Sequence, residues 1–254
     1  MKKIFLVLVL LLVFGSWAFP QGMKTAEIKG LIDSPTAGSL KRAQYDFEVR
    51  LFPGGGALAG FSIGLFDRLM MGIFYGGESI IADSAINWNA QPGVIFKYRL
   101  FEETMKFPAL SIGYSSQGYG AYNDSTKRYA IKAKGFFVVA GRNFKVDGLG
   151  FLGMHGGINY NPQEKMTGGD RPDLYVGLDK SINEEISVVA EYDFAWNDLK
   201  DSSFKINTTG YLNAGLRWTF ASRISIELDF KNILKKNEAP GVSREIKINY
   251  LESF

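Results

Sequence analysis

Three groups of residues in this chain could carry chemistry: a single histidine, a pair of acidic residues and a glycine-rich motif. A hydrolase that uses histidine as its base needs a serine or cysteine nucleophile beside it. In one class of lipid hydrolase the serine lies two residues after the histidine, but here His155 is followed by Gly156 and Gly157. The sequence therefore predicts that His155 has a structural role, in the interior or at the rim of the folded protein. A lipid hydrolase stays a minor alternative.

The other two groups also have simpler interpretations. Glu191 and Asp193 share a strand face with basic residues, so we interpret them as members of ion pairs and not as an acid–base pair. The motif from Gly148 to Gly153 fits G-x-G-x-x-G but lies within alternating sequence, whereas a dinucleotide site needs a helix after it. With no cysteine and one histidine, the sequence predicts neither a metal site nor a cofactor.

Most charged residues belong to a regular pattern, in which they alternate with apolar residues. Between Arg223 and Lys231, for example, Ile224, Ile226, Leu228 and Phe230 alternate with Ser225, Glu227 and Asp229. Hydrocarbon cannot hydrate a charge, so in a membrane barrel the apolar face must look outward. The sequence thus predicts an interior network of ion pairs formed by Asp46, Glu48, Arg50, Lys97, Arg99, Lys132, Lys134, Asp179, Glu191, Asp193, Arg217, Arg223, Glu227, Asp229, Lys231, Glu245 and Lys247.

The elements that carry these residues are short runs with a period of two, of the length that a tilted strand needs to cross a bilayer. The fold class predicted is all-β: a transmembrane antiparallel up-and-down β-barrel of about 12 strands. The predicted strands are 44–52, 57–66, 68–76, 93–101, 108–116, 128–140, 148–160, 173–181, 185–195, 210–220, 222–231 and 244–254.

The predicted connections alternate between short and long. Short turns are expected at 67–68, 102–103, 143–144, 181–183 and 221–222, and long polar loops at 77–92, 117–127, 161–172, 196–209 and 232–243. Short periplasmic turns and long extracellular loops are typical of outer-membrane barrels with both termini in the periplasm. Loop aromatics such as Tyr119, Tyr122 and Trp196 are expected in the aromatic girdle at the membrane rim.

The two ends of the chain indicate export and assembly. Residues 1–18 combine a basic start, an apolar run from Ile4 to Phe14 and small residues at Ser16 and Ala18, which predicts a signal peptide cut after Ala18. Residues 19–40 are expected on the periplasmic rim or in the lumen, and 41–254 in the barrel. Tyr250 and the terminal Phe254 resemble the signal that the barrel assembly machinery recognises. The mature chain has 27 basic and 26 acidic residues, a balance that argues against nucleic-acid binding.

One stretch resembles a known family. The run Gly93-Val94-Ile95-Phe96-Lys97-Tyr98-Arg99-Leu100-Phe101-Glu102-Glu103, followed by Phe107 to Tyr114, is similar to a Lys-x-Arg-Leu strand, Glu-Glu turn and Pro-Ala-Leu strand of YjbH-like outer-membrane proteins. Tyr129 to Phe144 and Leu31 to Ala37 resemble further parts of that family. The resemblance implies an outer-membrane barrel linked to exopolysaccharide production or export, and it implies no catalytic residues. Family members are usually much longer than this chain.

From these observations we expect a non-enzymatic barrel of the bacterial outer membrane. The leading hypothesis is a narrow channel, or an accessory protein in exopolysaccharide export, with a polysaccharide or a small polar solute as its partner besides membrane lipid. The alternative is a closed structural or adhesive barrel that binds partners through its extracellular loops. An interior filled by ion pairs favours a closed lumen, since a barrel of about 12 strands is narrower than the 16–18-stranded porins.

Overall fold

The computed structural model describes residues 27–123, 128–146, 150–163, 171–198, 210–234 and 242–254. The predicted signal peptide and residues 19–26 lie outside the described residues. The strands, in chain order, are β1 Gln44–Phe52, β2 Gly56–Phe66, β3 Leu69–Glu78, β4 Asn87–Trp88, β5 Gly93–Phe101, β6 Ala109–Ser115, β7 Tyr119–Asn123, β8 Arg128–Ile131, β9 Gly135–Val146, β10 Gly150–Tyr160, β11 Asp173–Ser181, β12 Ile186–Asp193, β13 Tyr211–Phe220, β14 Ile224–Lys231 and β15 Ser243–Ser253.

The described strands form a closed antiparallel barrel. Twelve of them follow one another around the ring in the order β1, β2, β3, β5, β6, β9, β10, β11, β12, β13, β14 and β15, and β15 pairs with β1 to close it. Each strand therefore pairs with the previous ring strand along the chain, which is an up-and-down topology. The predicted fold class is confirmed. The remaining strands are β4, which extends the loop end of β3, and the separate hairpin β7–β8.

The two faces of the wall have the opposite polarity to that of a soluble protein. On β14 the apolar side chains of Leu228 and Phe230 are each 45% exposed, whereas Glu227 and Asp229 are 0% and 1% exposed. Strand β5 repeats the pattern, with exposed Tyr98 next to buried Lys97. Alternation places successive side chains on opposite faces of a strand, so the apolar residues cover the outside and the charged residues point inward.

Connections at one end of the barrel are short and those at the other end are mostly long. The turn end carries residues 67–68, 102–108, 182–185 and 221–223, and the loop end carries 79–92, 116–134 and the other long loops, with the short turn 53–55 as the exception. Strand β1 begins and strand β15 ends at the turn end, where the Phe254 N–H donates to the carbonyl of Ala43. No helix in the described part of the chain is long and apolar enough to cross a membrane.

Two boundaries differ from the sequence prediction. The predicted strand 128–140 is divided, because Arg128–Ile131 pairs with β7 and a new strand begins at Gly135, whose φ of +63° interrupts the run. Asn143 and Phe144, which were predicted as a turn, lie within β9 opposite Gly153 and Leu152. The pairing of β9 with β10 continues through both residues as far as Val146, so the polar Asn143 does not end the strand.

The outward face can be tested with a charge at the middle of β14. Leu228→Arg places a cation where a membrane barrel meets hydrocarbon, and we expect it to lower the free energy of unfolding in lipid vesicles by about 2–4 kcal/mol. Ile182→Arg, in a turn at the barrel end, is the matched control and should have a much smaller effect. Urea titration followed by tryptophan fluorescence measures both, and equal effects would contradict the assignment of the apolar face to lipid.

Candidate functional site: the polar interior and the inner segment

Residues 27–40, called the inner segment below, lie inside the barrel. The segment makes a tight hairpin in which Gly30 and Pro35 form a bridge and the Leu31 N–H donates to the Ser34 carbonyl over 2.8 Å. All residues from 31 to 38 are buried. The apolar contribution is small: Leu31 and Ile32 pack on Val189, with Ile28 against them. The segment is therefore held mainly by polar contacts with the wall.

The tip of the hairpin is fixed by a cluster of four buried charges, called the Asp33 cluster. Arg50 on β1 donates to Asp33 over 2.6 Å and to Glu245 over 3.2 Å, and Lys231 on β14 lies 2.8 Å from Asp33 and 2.9 Å from Glu245. No side chain of the four is more than 4% exposed. Two cations and two carboxylates compensate one another, as buried charges require.

A second contact holds the tip from the opposite direction. The carboxylate of Glu191 on β12 accepts hydrogen bonds from the backbone N–H groups of Ile32, Asp33 and Ser34 at 3.1–3.2 Å, and from the Asn213 side chain at 2.8 Å. Successive N–H groups that converge on one point form an anion-binding concavity. Glu191 is therefore satisfied without a basic partner at hydrogen-bond distance.

Basic side chains of β5 contact the carbonyl groups of the same segment. Lys97 donates to the carbonyls of Lys29 and Thr36 over 2.7 and 3.2 Å, and Arg99 donates to the carbonyl of Ala37 over 2.8 Å. Arg99 also pairs with Glu27 and with Glu102. Strands β5 and β12 are five positions apart around the ring in one direction and seven in the other, so they face each other. Three N–H groups of the hairpin tip thus point to Glu191, whereas the carbonyls of Lys29, Thr36 and Ala37 point to the basic side chains of β5.

Elsewhere the wall neutralises its own charges. Glu227 lies opposite Arg217 on β13 and Lys247 on β15, with contacts of 2.5 and 2.6 Å. Lys247 is also 3.6 Å from Asp229. Lys29 of the inner segment neutralises Asp46 and Glu48 of β1 at 2.6 and 3.1 Å. These contacts form a continuous ionic band along β13, β14, β15 and β1.

The described parts of the connection between β6 and β9, residues 116–123 and 128–134, contact the interior at its loop end. Tyr119 places its ring 3.8 Å from the guanidinium carbon of Arg50, and Gln117 and Tyr129 are buried. Lys134 lies 2.5 Å from Asp193, and the carbonyl of Ala133 accepts a hydrogen bond from Asn161. Tyr119 was expected at the rim, and that prediction is wrong because its ring stacks on an interior arginine. The loop and the inner segment meet at Arg50.

The structure brings most of the predicted interior residues together. Asp46, Glu48, Arg50, Lys97, Arg99, Lys132, Lys134, Glu191, Glu227, Asp229, Lys231, Glu245 and Lys247 are buried, and Asp179, Asp193 and Arg217 are partly buried. Lys132 and Lys134 precede β9 and belong to the loop. Arg223 is a correction: its side chain is 61% exposed in the turn before β14 and pairs with Glu252. It follows Phe220–Ala221–Ser222 at the barrel end, where the alternation no longer turns a side chain inward.

The residues with potential chemistry have structural contacts. His155 Nε2 lies 2.8 Å from Asp179, which is its ion-pair or hydrogen-bond partner on β11. Glu191 and Asp193 contact different partners and do not act as a pair. Gly150 and Gly153 of the glycine motif lie on β10, so no helix opens there, whereas Gly148 is outside the described residues. Among the described residues, no group of three metal-ligating side chains occurs.

The strand alternation does not reveal the residues that connect the wall to the inner segment. Lys29 and Asp33 precede the first strand, and Ser111 carries no charge. Ser111 could have been found, since it alternates with the outward Ile112 on β6. The backbone contacts of Glu191 and Lys97 could not, because a carbonyl or N–H group leaves no mark in the residue sequence.

A small cavity remains beside the inner segment. It has a volume of about 210 Å³ and is lined by Lys29 and Asp33 on the segment and by Ser62, Lys247 and Asn249 on the wall. Space of this size, with polar groups on both sides, accommodates several water molecules. The inner segment therefore occupies part of the described interior and leaves hydrated space beside it.

The pKa of Asp33 indicates how acid changes the stability with which the inner segment is bound. Burial alone would raise its pKa, but Lys231 and Arg50 hold the pKa well below the ordinary value of 3.8. The folded state therefore binds this proton less readily than the unfolded state, so the stabilisation is complete above pH 3.8 and is lost as the pH falls toward the folded-state pKa.

We expect Asp33→Asn to lower the free energy of unfolding in detergent by about 3–5 kcal/mol at pH 7, because two buried cations lose a carboxylate. The difference from wild type should shrink as the pH falls below about 4. Denaturant titrations at several pH values measure it. Asp67→Asn, in an exposed turn, is the control and should leave stability unchanged. A difference independent of pH would show that the Asp33 charge is not what holds the segment.

Comparison with solved structures shows likeness to barrels at low sequence identity. The KdgM porin has a TM-score of 0.47 and 10% identity, and covers 83% of this chain and 99% of its own. The KdgM porin in complex with disordered oligogalacturonate has a TM-score of 0.49, with the same identity and coverage. The outer membrane protein Omp33 of Acinetobacter baumannii has a TM-score of 0.45 and 11% identity, and covers 83% and 97%. No protein-family model matches this chain, and no curated protein matches it.

Proposed function

We propose that this protein is a non-enzymatic barrel of the bacterial outer membrane and that it forms a narrow channel, which the inner segment closes. An apolar outside and a charged inside support the membrane location, as do the predicted signal peptide and the terminal aromatic strand. In this proposal both termini are periplasmic, Tyr250 and Phe254 contribute to the assembly signal, and the solute is small and polar.

The observation that carries the channel proposal is the way the inner segment is seated. Its contacts are hydrogen bonds and ion pairs with charged wall residues, such as Asp33 with Arg50 and the N–H group of Ser34 with Glu191. Water and a polar solute can replace contacts of this kind, whereas a tightly packed apolar plug would resist them. Removing the segment would leave a polar interior, which suits a hydrated pathway.

The link to exopolysaccharide is the finer part of the proposal. It comes from the resemblance of residues 93–103 and 107–114 to YjbH-like proteins, and the polar interior is compatible with passage of a sugar chain only after the segment moves. Deleting the gene in the source bacterium should reduce secreted polysaccharide at least twofold, and plasmid-borne wild type should restore it. Unchanged polysaccharide would remove this role and leave the channel proposal in place.

A closed barrel that binds partners through its loops is the second candidate. The observation that favours it is that two parts of the chain occupy the interior: Gln117, Tyr119 and Tyr129 contact it at the end opposite to the turns, and the inner segment lies in the middle. The two candidates differ in whether the inner segment can move. A reversible cross-link of the segment to the wall therefore distinguishes them.

The geometry offers such a cross-link. A Cβ atom placed at Gly141 on β9 would lie 3.5 Å from Cβ of Ala37, a separation that suits a disulfide. His155 must shift slightly, because its Nδ1 lies 2.8 Å from that position. The natural chain contains no cysteine, so Ala37→Cys with Gly141→Cys introduces one defined pair. In planar bilayers we expect channel openings under reducing conditions and their loss after oxidation.

The two single-cysteine variants are the controls, and their currents should not respond to oxidation. Mass spectrometry confirms the disulfide in the double variant. Equal currents from the oxidised and reduced forms would show that the segment does not close the channel. Absence of current from both forms and from wild type, at every voltage, would favour the closed barrel.

A further inference from the structure

Three donors of the wall converge on two consecutive carbonyl oxygens of the inner segment. The Ala37 carbonyl accepts from Arg99 Nη2 and from Ser111 Oγ, each over 2.8 Å, and from Arg99 Nε over 3.3 Å. The neighbouring Thr36 carbonyl accepts from Lys97 Nζ over 3.2 Å. Two oxygens a short distance apart, met by a guanidinium, an ammonium and a hydroxyl, reproduce the way a carboxylate or a phosphate is bound.

The donors belong to a rigid part of the wall. Arg99 on β5 and Ser111 on β6 are paired in register, and Lys97 lies two residues from Arg99 on the same strand face. Lys97, Arg99 and Ser111 are 0%, 4% and 0% exposed. Arg99 is further held by Glu102, 2.8 Å away in the turn that follows β5. The wall strands and Glu102 therefore help to fix the three donors, in addition to the inner segment.

The present occupants leave the charge of Lys97 uncompensated, whereas Arg99 also pairs with Glu27 and Glu102. An amide carbonyl carries only a partial negative charge, and within the described residues the hydrogen bonds of Lys97 go to carbonyls, with no carboxylate oxygen within 4 Å of its Nζ. A buried cation next to neutral oxygens is less favourable than the same cation next to an anion. The neighbouring ionic band, by contrast, pairs each wall cation with a carboxylate.

We propose that Lys97, Arg99 and Ser111 form a binding site for the oxyanion group of a solute, a carboxylate or a phosphate, and that the carbonyls of Thr36 and Ala37 occupy this site in the closed state. This inference rests on the proposed function, since the inner segment must leave for the site to be filled. The segment then acts as an internal substitute for the ligand. Binding of an oxyanion and seating of the segment exclude each other.

The site is tested directly by binding, without a current. Isothermal titration of Asp33→Asn barrels in detergent, with citrate or with inorganic phosphate at constant ionic strength, gives the affinity of the site once the segment is loosened. Lys97→Gln and Arg99→Gln in that background should each weaken binding about tenfold, because an ionic hydrogen-bond donor is lost. Arg217→Gln is the matched control: it removes one interior cation from β13 and should change the affinity less than twofold.

A second variant covers the case in which Asp33→Asn leaves the segment seated. Replacing residues 28–38 by glycine and serine removes the present contacts and exposes the three donors. Binding of citrate or phosphate that depends on Lys97 and Arg99 supports the site, and the tighter anion identifies its chemistry. Absence of binding in both backgrounds, or an equal loss with Arg217→Gln, would overturn the site.

Conductance separates this inference from the proposed function. If either anion binds as expected but no variant conducts in planar bilayers, the site stands and the channel proposal fails. If the reduced cysteine variant conducts and neither anion binds, the channel stands and the oxyanion site fails. If both hold, citrate or phosphate should increase the fraction of time that wild type is open, since a ligand that binds only the released state favours that state.

Discussion

Charged side chains that point into a closed ring need partners within the ring, and this constraint explains the interior. A buried charge that loses its partner destabilises a protein by about 3–5 kcal/mol. Between β13 and β1 the partners come from neighbouring strands, as with Glu227 between Arg217 and Lys247. Glu191 on β12 and Lys97 on β5 have no oppositely charged neighbour at hydrogen-bond distance. The inner segment satisfies Lys97, and together with Asn213 it satisfies Glu191. The segment thus stabilises buried charges of the wall as well as filling space in the interior.

A segment with few charged side chains can satisfy the charged wall residues because its backbone N–H and C=O groups are dipoles. At the hairpin tip three successive N–H groups point to Glu191, and on the two sides of the hairpin the carbonyls of Lys29 and Ala37 point to β5. Asp33 adds the single charge that the Arg50 and Lys231 pair requires. Opposite polarities on facing walls therefore orient the hairpin as well as hold it.

The sequence predicts the barrel well because a period of two is a direct consequence of strand geometry. It also predicts which charges face inward, since the same alternation decides that. It fails where residues leave the regular strand, as at Gly135, where a positive φ starts β9 later than the residue pattern suggests, and at Arg223, which lies beyond the last inward position. The sequence does not predict where the inner segment binds the wall, because Thr36 and Ala37 make these contacts through backbone carbonyls, which every residue has.

The balance of contacts in the interior bears on whether closure is permanent. The wall strands are joined by continuous backbone pairing around the whole ring, whereas the inner segment has one short hairpin and a small apolar contact of Leu31 and Ile32. A hydrogen bond that can be exchanged for one to water has a net value of only about 0.5–1.5 kcal/mol, whereas a broken buried ion pair costs more. Release of the segment breaks the ion pairs of Asp33 but none of the backbone pairing that closes the ring. Because the wall cations that it releases are fixed on strands, the ring would stay closed while its interior changes from filled to hydrated, which is the property that a gated channel requires and a permanent plug lacks.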